Sequence, residues 1–163
     1  MLLSPEFSRR AKSSRMPRPE SAELSALYQE MILDHYRRPR NKGTLEGANA
    51  TVEMKNPLCG DEIALQVSFD GDQVRDLKFS GRGCSISQAS ASMMTQLLKG
   101  KTRSEIESIR TRFRDLMLGT ADATEELGPL RALSGVARFP ARVKCALLAW
   151  NALDSALSEP SQR

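Results

Sequence analysis

At Gly81-Arg82-Gly83 the hydrophobic period of this chain switches from that of strands to that of helices. Before that point Ile63, Leu65, Val67 and Phe69 alternate with Ala64, Gln66 and Ser68, the period of two that marks a half-buried strand. Asp70-Gly71 is a hairpin signal, and residues 74–79 return with Leu77 and Phe79 on one face. Val74 is out of phase with that pair, so a bulge or a ragged strand start is expected. Thr51-Val52-Glu53-Met54 reads as a short strand ahead of these, joined by the turn Asn56-Pro57-Leu58-Cys59-Gly60-Asp61. The three strands form an antiparallel meander.

Beyond Gly83 the pattern is helical. A helix opens at Cys84, is rich in small residues, turns Ile86, Ala89, Met93 and Leu97 inward, and stops at Gly100. A second runs from Thr102 to Leu118, with a Thr102/Glu105 capping box and Ile106, Ile109, Phe113, Leu116 and Met117 on one face. Residues 119–138 are expected to hold a loop and a short helix around Pro129–Val136. Phe139-Pro140-Ala141-Arg142 opens the last helix, with Val143, Leu147, Trp150, Leu153 and Leu157 inward. Near the front, residues 22–37 set Leu24, Leu27, Tyr28, Met31 and His35 on one face. Ser21, with Glu20 or Glu23, is placed to cap this helix, and Pro39 ends it. A run of strands followed by a run of helices defines the α+β class, here a three-stranded antiparallel sheet packed against a layer of helices.

The three cysteines, Cys59, Cys84 and Cys145, are too far apart for a local binding loop, so any shared site is built by the fold. Asp61 follows Cys59 by two places and faces the same side if the turn is extended. Three thiols and a carboxylate match the number and type of ligands of a tetrahedral zinc site. Free cysteine is also a common core filler, which is the plainer alternative. The local settings argue against it. Cys84 and Cys145 are placed in the first turns of helices, flanked by Arg82 and by Arg142 and Lys144, where thiol pKa values are drawn down. Cys59 sits in a turn, the most exposed of the three settings. His35, the one histidine, is expected to be a satisfied packing residue.

Composition is that of an ordinary globular chain, 40% apolar and 27% charged, with no apolar run near the roughly 18 residues of a membrane span. The net charge of +4 is concentrated at the front. Arg9, Arg10, Lys12, Arg15 and Arg18 oppose only Glu6 and Glu20, so the rest of the chain is close to neutral and nucleic-acid binding is not expected. Residues 1–21 are expected to be a disordered basic tail, residues 22–158 a single domain and residues 159–163 a frayed end. No signal peptide is read, and an odd cysteine count does not suit a disulfide framework, so a reducing, cytoplasmic setting is expected.

Three linked motifs carry a resemblance. They are His35-Tyr36-x-x-Pro39-Arg40-Asn41-x-Gly43, then Asn56-Pro57-x-Cys59-Gly60-Asp61, then Phe79-x-Gly81-x-Gly83-Cys84-x-Ile86-Ser87-x-Ala89-Ser90-Ala91-Ser92. Together they resemble the IscU/NifU family of iron–sulfur cluster assembly proteins, over about residues 24–157. The resemblance implies a small antiparallel sheet packed on helices, with Cys59, Asp61, Cys84 and Cys145 as metal ligands. Lys144 stands where the scaffold branch carries a histidine, and residues 119–138 look like an insertion. Both features, with Arg142-x-Lys144-Cys145-Ala146-x-Leu148-Ala149-Trp150, are similar to the SufU branch.

That branch implies a zinc-dependent sulfurtransferase of the SUF system, which receives persulfide sulfur from a SufS-type cysteine desulfurase and passes it to a SufB-containing complex. Cys59 is the expected sulfur acceptor, with Arg142 and Lys144 as anion stabilisers. A scaffold that assembles a 2Fe–2S cluster on the same residues is an alternative, because iron–sulfur sites also accept thiolates. A zinc-stabilised binding module is a third.

Overall fold

The computed structural model describes residues 19–158. Helix α1 (Pro19–Arg37) is followed by strands β1 (Ala50–Asn56), β2 (Asp61–Asp70) and β3 (Gln73–Arg82). Helices α2 (Ser85–Leu98) and α3 (Arg103–Met117) come next, then a 3₁₀ segment (Glu125–Arg138) and helix α4 (Pro140–Ser158). The sheet order is β1-β2-β3, antiparallel throughout, so the expected meander is present. Each strand is longer than the sequence pattern marked. The register shift falls between Ser68 and Phe69 and lets Val74 pair with Phe69, which accounts for the phase break at Val74.

Ile63, Leu65, Val67, Leu77 and Phe79 point into one buried face, and the helices cover it. On α2 the small residues allow close approach on every side. Ser87 through Thr95 are all buried, together with Leu98, and the stripe expected at Ile86 and Leu97 is only half-buried. α3 buries the face expected of it, and its Thr102/Glu105 capping box is formed. α4 buries a rotated face, Cys145, Ala146, Leu148, Ala149, Trp150, Ala152, Leu153 and Ala156, while Val143, Leu147 and Leu157 are half-buried.

One expectation holds with a longer reach, and another fails. Residues 119–124 are the expected loop, and the expected short helix at Pro129–Val136 lies in a 3₁₀ stretch that begins at Glu125 and is kinked at Gly128, where positive φ redirects the chain into Pro129. The face expected on α1 is incomplete, because Leu24 and Leu27 are 44% and 55% exposed. α1 also begins inside the stretch expected as tail; the remainder of that tail, the frayed end and the capping side chains Glu20, Ser21 and Glu23 lie outside the described residues and side chains.

His35 is buried and bonded, as a packing histidine should be. The Arg40 N–H donates to Ser92 Oγ, which leaves the hydroxyl proton for His35 Nδ1 at 2.8 Å. Loss of hydration, then the nearby Arg40 charge, pushes the His35 pKa down to about 4, with Asp34 opposing. The following loop lies along the sheet edge, where Asn41 and Phe79 and then Phe79 and Gly43 exchange backbone bonds. The first family motif therefore fastens α1 to α2 and protects β3.

Candidate metal centre

Four elements meet at one end of the sheet. The β1–β2 turn carries Cys59, the first residue of β2 is Asp61, the N-cap of α2 is Cys84, and the second turn of α4 carries Cys145. Asp61 shares the parity of Ile63 and Leu65, so its side chain enters the helix-facing side and is 0% exposed. Gly60 adopts φ +75° between Cys59 and Asp61, a turn conformation that side chains disfavour. α4 is fixed against α2 by one hydroxyl: Ser90 Oγ donates to the Ala146 carbonyl at 2.7 Å and accepts from Trp150 Nε1 at 3.2 Å. That bond lies one residue from Cys145 and sets the height at which its thiol meets the others.

The side chains converge. Cys59 Sγ is 3.0 Å from Asp61 Oδ2 and 3.5 Å from Cys145 Sγ. One ligand atom from each of Cys59, Asp61 and Cys145 lies within 4.8 Å of the others. Cys84 Sγ is 3.8 Å from Asp61 Oδ2 and caps α2 by accepting from the Ser87 N–H. Asp61 Oδ1 is occupied by the Cys84 N–H at 2.9 Å, so Oδ2 faces the sulfurs. A Cβ at Gly83 would collide with the Asp61 carboxylate and the Ser87 hydroxyl. Two soft sulfur donors and one carboxylate oxygen are gathered, with the Cys84 sulfur 3.8 Å from that oxygen, a donor chemistry that suits a metal of the zinc type.

Burial pushes Asp61 up, but hydrogen bonds from Cys59, the Cys84 backbone, Cys145 and Ser87 outweigh it and hold its carboxyl below the ordinary value. Burial, then the adjoining Asp61 carboxylate and the other thiols, pushes Cys145 far above the ordinary thiol range. This corrects the expected lowering at a helix start: Cys145 sits one turn too deep, buried and directed back at the Ala141 carbonyl 3.7 Å away. Cys59 is exposed and Cys84 intermediate.

The basic residues separate. Arg142 is drawn to the thiols, and the neighbouring Cys84 and Cys145 raise its pKa. Arg82 is turned away to Glu62 at 3.5 Å. Lys144 is exposed, and no hydrogen bond or ion pair joins it to the thiols among the described residues. Arg142 also walls a cleft of about 540 Å³ between α1, the 3₁₀ segment and the starts of α2 and α4. Ser87 and Ser90 were missed as site supports. Their signal was present in the small-residue run of α2, which announces close packing but not what packs.

The NifU-like N terminal domain model matches residues 27–163, so the chain belongs to that family. It is 50% identical over 140 residues to the zinc-dependent sulfurtransferase SufU of Bacillus subtilis (strain 168), covering 85% of this chain and 95% of that protein. It is 44% identical over 137 residues to the iron–sulfur cluster assembly scaffold protein IscU of Streptococcus pyogenes serotype M1, covering 83% and 86%. Among solved structures it superposes with a TM-score of 0.77 and 40% identity on a putative iron–sulfur cluster assembly scaffold protein for the SUF system from Fervidobacterium islandicum AW-1, covering 82% of this chain and 98% of that one. The family resemblance and the fold drawn from sequence are both borne out.

Proposed function

We propose that this protein is a SufU-type sulfurtransferase of iron–sulfur cluster assembly, with Cys59, Asp61, Cys84 and Cys145 as the ligands of one zinc ion. The observation that carries the proposal is the convergence of Cys59 and Cys145 with the Asp61 carboxylate, Cys84 Sγ lying 3.8 Å from the same oxygen and Cys59 alone being exposed. The relative from Bacillus subtilis supports zinc and sulfur transfer. Bound zinc would keep the thiols ionised and, having no redox chemistry, would leave them unoxidised.

The chain's own contribution is to present one nucleophile. Cys59 rides on a four-residue turn beside Leu58, which is 83% exposed and offers an apolar contact to a donor protein. The Cys59 thiolate attacks the outer sulfur of a donor persulfide. A new sulfur–sulfur bond forms at Cys59, the donor's bond breaks, and the electron pair leaves with the donor thiolate. Arg142 lies where it offsets the negative charge that remains among the thiols. Lys144, exposed, has a weaker claim to that role. The donor in this proposal is a SufS-type cysteine desulfurase and the acceptor a SufB-containing assembly complex, in the cytoplasm. No described helix is long and apolar enough to cross a membrane.

The second function is a scaffold that builds a 2Fe–2S cluster on the same residues, favoured by the similarity to IscU. Elemental analysis of anaerobically purified protein separates the two. About one zinc per chain without acid-labile sulfide supports sulfur transfer; iron with matching sulfide supports the scaffold. Cys59→Ala is expected to abolish sulfur acceptance from the desulfurase, measured by labelled sulfur on the protein, and normal labelling of that variant would remove Cys59 from the role.

A further inference from the structure

We infer that, when the site holds no metal ion, Cys145 is the resolving thiol for a persulfide on Cys59: the pair closes to a disulfide and expels the carried sulfur as sulfide. The inference rests on Cys59 being the sulfur acceptor, as proposed above.

Its basis is position. Cys59 Sγ and Cys145 Sγ are 3.5 Å apart, at the edge of near-attack distance. Cys145 is 1% exposed and approaches from the core, whereas Cys59 is exposed and receives its sulfur from the solvent side. The atom that faces Cys145 is therefore the inner sulfur, Cys59 Sγ, and the outer sulfur lies on the far side. Attack on an outer sulfur passes the atom on; attack on an inner one displaces it. Cys84 is the poorer resolver. Its sulfur is engaged as the cap of α2 and lies outside the triad of Cys59, Asp61 and Cys145.

The step balances without an added oxidant or reductant. The Cys59 Sγ–Cys145 Sγ bond forms and the bond from Cys59 Sγ to the outer sulfur breaks. That bond's electron pair and the Cys145 proton leave with the outer sulfur as hydrosulfide. The carried sulfur is reduced to sulfide while the two thiols are oxidised to the disulfide. The sulfurs must close to about 2 Å, and the exposed turn that carries Cys59, followed by Gly60, can supply that movement. A metal that holds Cys145 as a ligand removes the attacking thiol. Occupancy of the site thus selects between sulfur kept for delivery and sulfur lost as free sulfide.

The test uses the full chain in two forms, stripped with a chelator and reloaded with zinc. Each is treated with inorganic polysulfide, desalted, and followed for released sulfide, intact mass without reductant, and peptide cross-links. The stripped protein is expected to release about one sulfide per Cys59 persulfide, at a rate independent of protein concentration, and to end with Cys59 linked to Cys145. Zinc-loaded protein, and stripped Cys145→Ser, are expected to keep the mass of one added sulfur on Cys59 at least about tenfold longer. Three results would overturn the inference while leaving Cys59 as acceptor: stripped wild type as persistent as Cys145→Ser, a cross-link that maps to Cys84, or release that scales with protein concentration. Added sulfur found only on Cys84 or Cys145 overturns the acceptor assignment and the inference together. The cross-link map of the wild-type chain decides the matter even if Cys145→Ser does not fold.

Discussion

Gly83 has no side chain at the point where the Asp61 carboxylate and the Ser87 hydroxyl crowd the start of α2. Adding one methyl there leaves the four proposed ligands in the chain but pushes Asp61 off its Cys84 N–H. Gly83→Ala is expected to weaken zinc binding about ten- to a hundredfold, the usual effect of disturbing a ligand's support, and competition against a chromophoric chelator measures it. His35 gives a second prediction at this scale. Folded, it binds a proton only near pH 4; unfolded, it does so near its ordinary 6.5. Between those values the unfolded chain holds more protons, so stability is lost as pH falls through that window. Urea unfolding at pH 7 and pH 5 should show wild type losing about 1–2 kcal/mol more than His35→Gln. Equal losses in the two proteins would contradict a neutral, buried imidazole.

α2 and α4 show where sequence patterns stop being informative. The alternation in β2 was legible because one face of that strand is buried and the other is not. α2 has no such contrast: Ser and Ala are small enough to be buried on any side, so no stripe stands out, although nearly the whole helix is interior. On α4 the marked residues Val143 and Leu147 yield the deepest places to alanines and Cys145, which fit closer to α2. The proposed ligand set is named by the motifs alone, but the depth of Cys145, and hence the direction of its pKa, depended on that packing. Ser90 is the pin between these helices. Ser90→Ala leaves the buried Trp150 N–H and the Ala146 carbonyl without that partner and is expected to cost about 1–3 kcal/mol. Chemical denaturation measures this loss, and weaker zinc binding should accompany it, because Cys145 moves with α4.

At the scale of the whole molecule, the proposed ligands draw the sheet and two helices to one point. An ion bound only by the folded chain stabilises it by mass action, about 4 kcal/mol at a thousand times the dissociation constant. For a chain of this size that corresponds to a fall in Tm on the order of 10 °C when a chelator removes the ion, readable by scanning calorimetry. No change on chelation would argue against the four-ligand set. Three of the proposed ligands lie by residue 84 and the last at residue 145, on the helix that completes the fold. During synthesis the early three emerge well before their partner, and the site is finished only when α4 has left the ribosome and docked. A loaded ion then reports that α4 has been made and docked: a product truncated before that helix lacks Cys145, one of the residues proposed to hold the metal, and metal retention separates chains that carry α4 from those that do not.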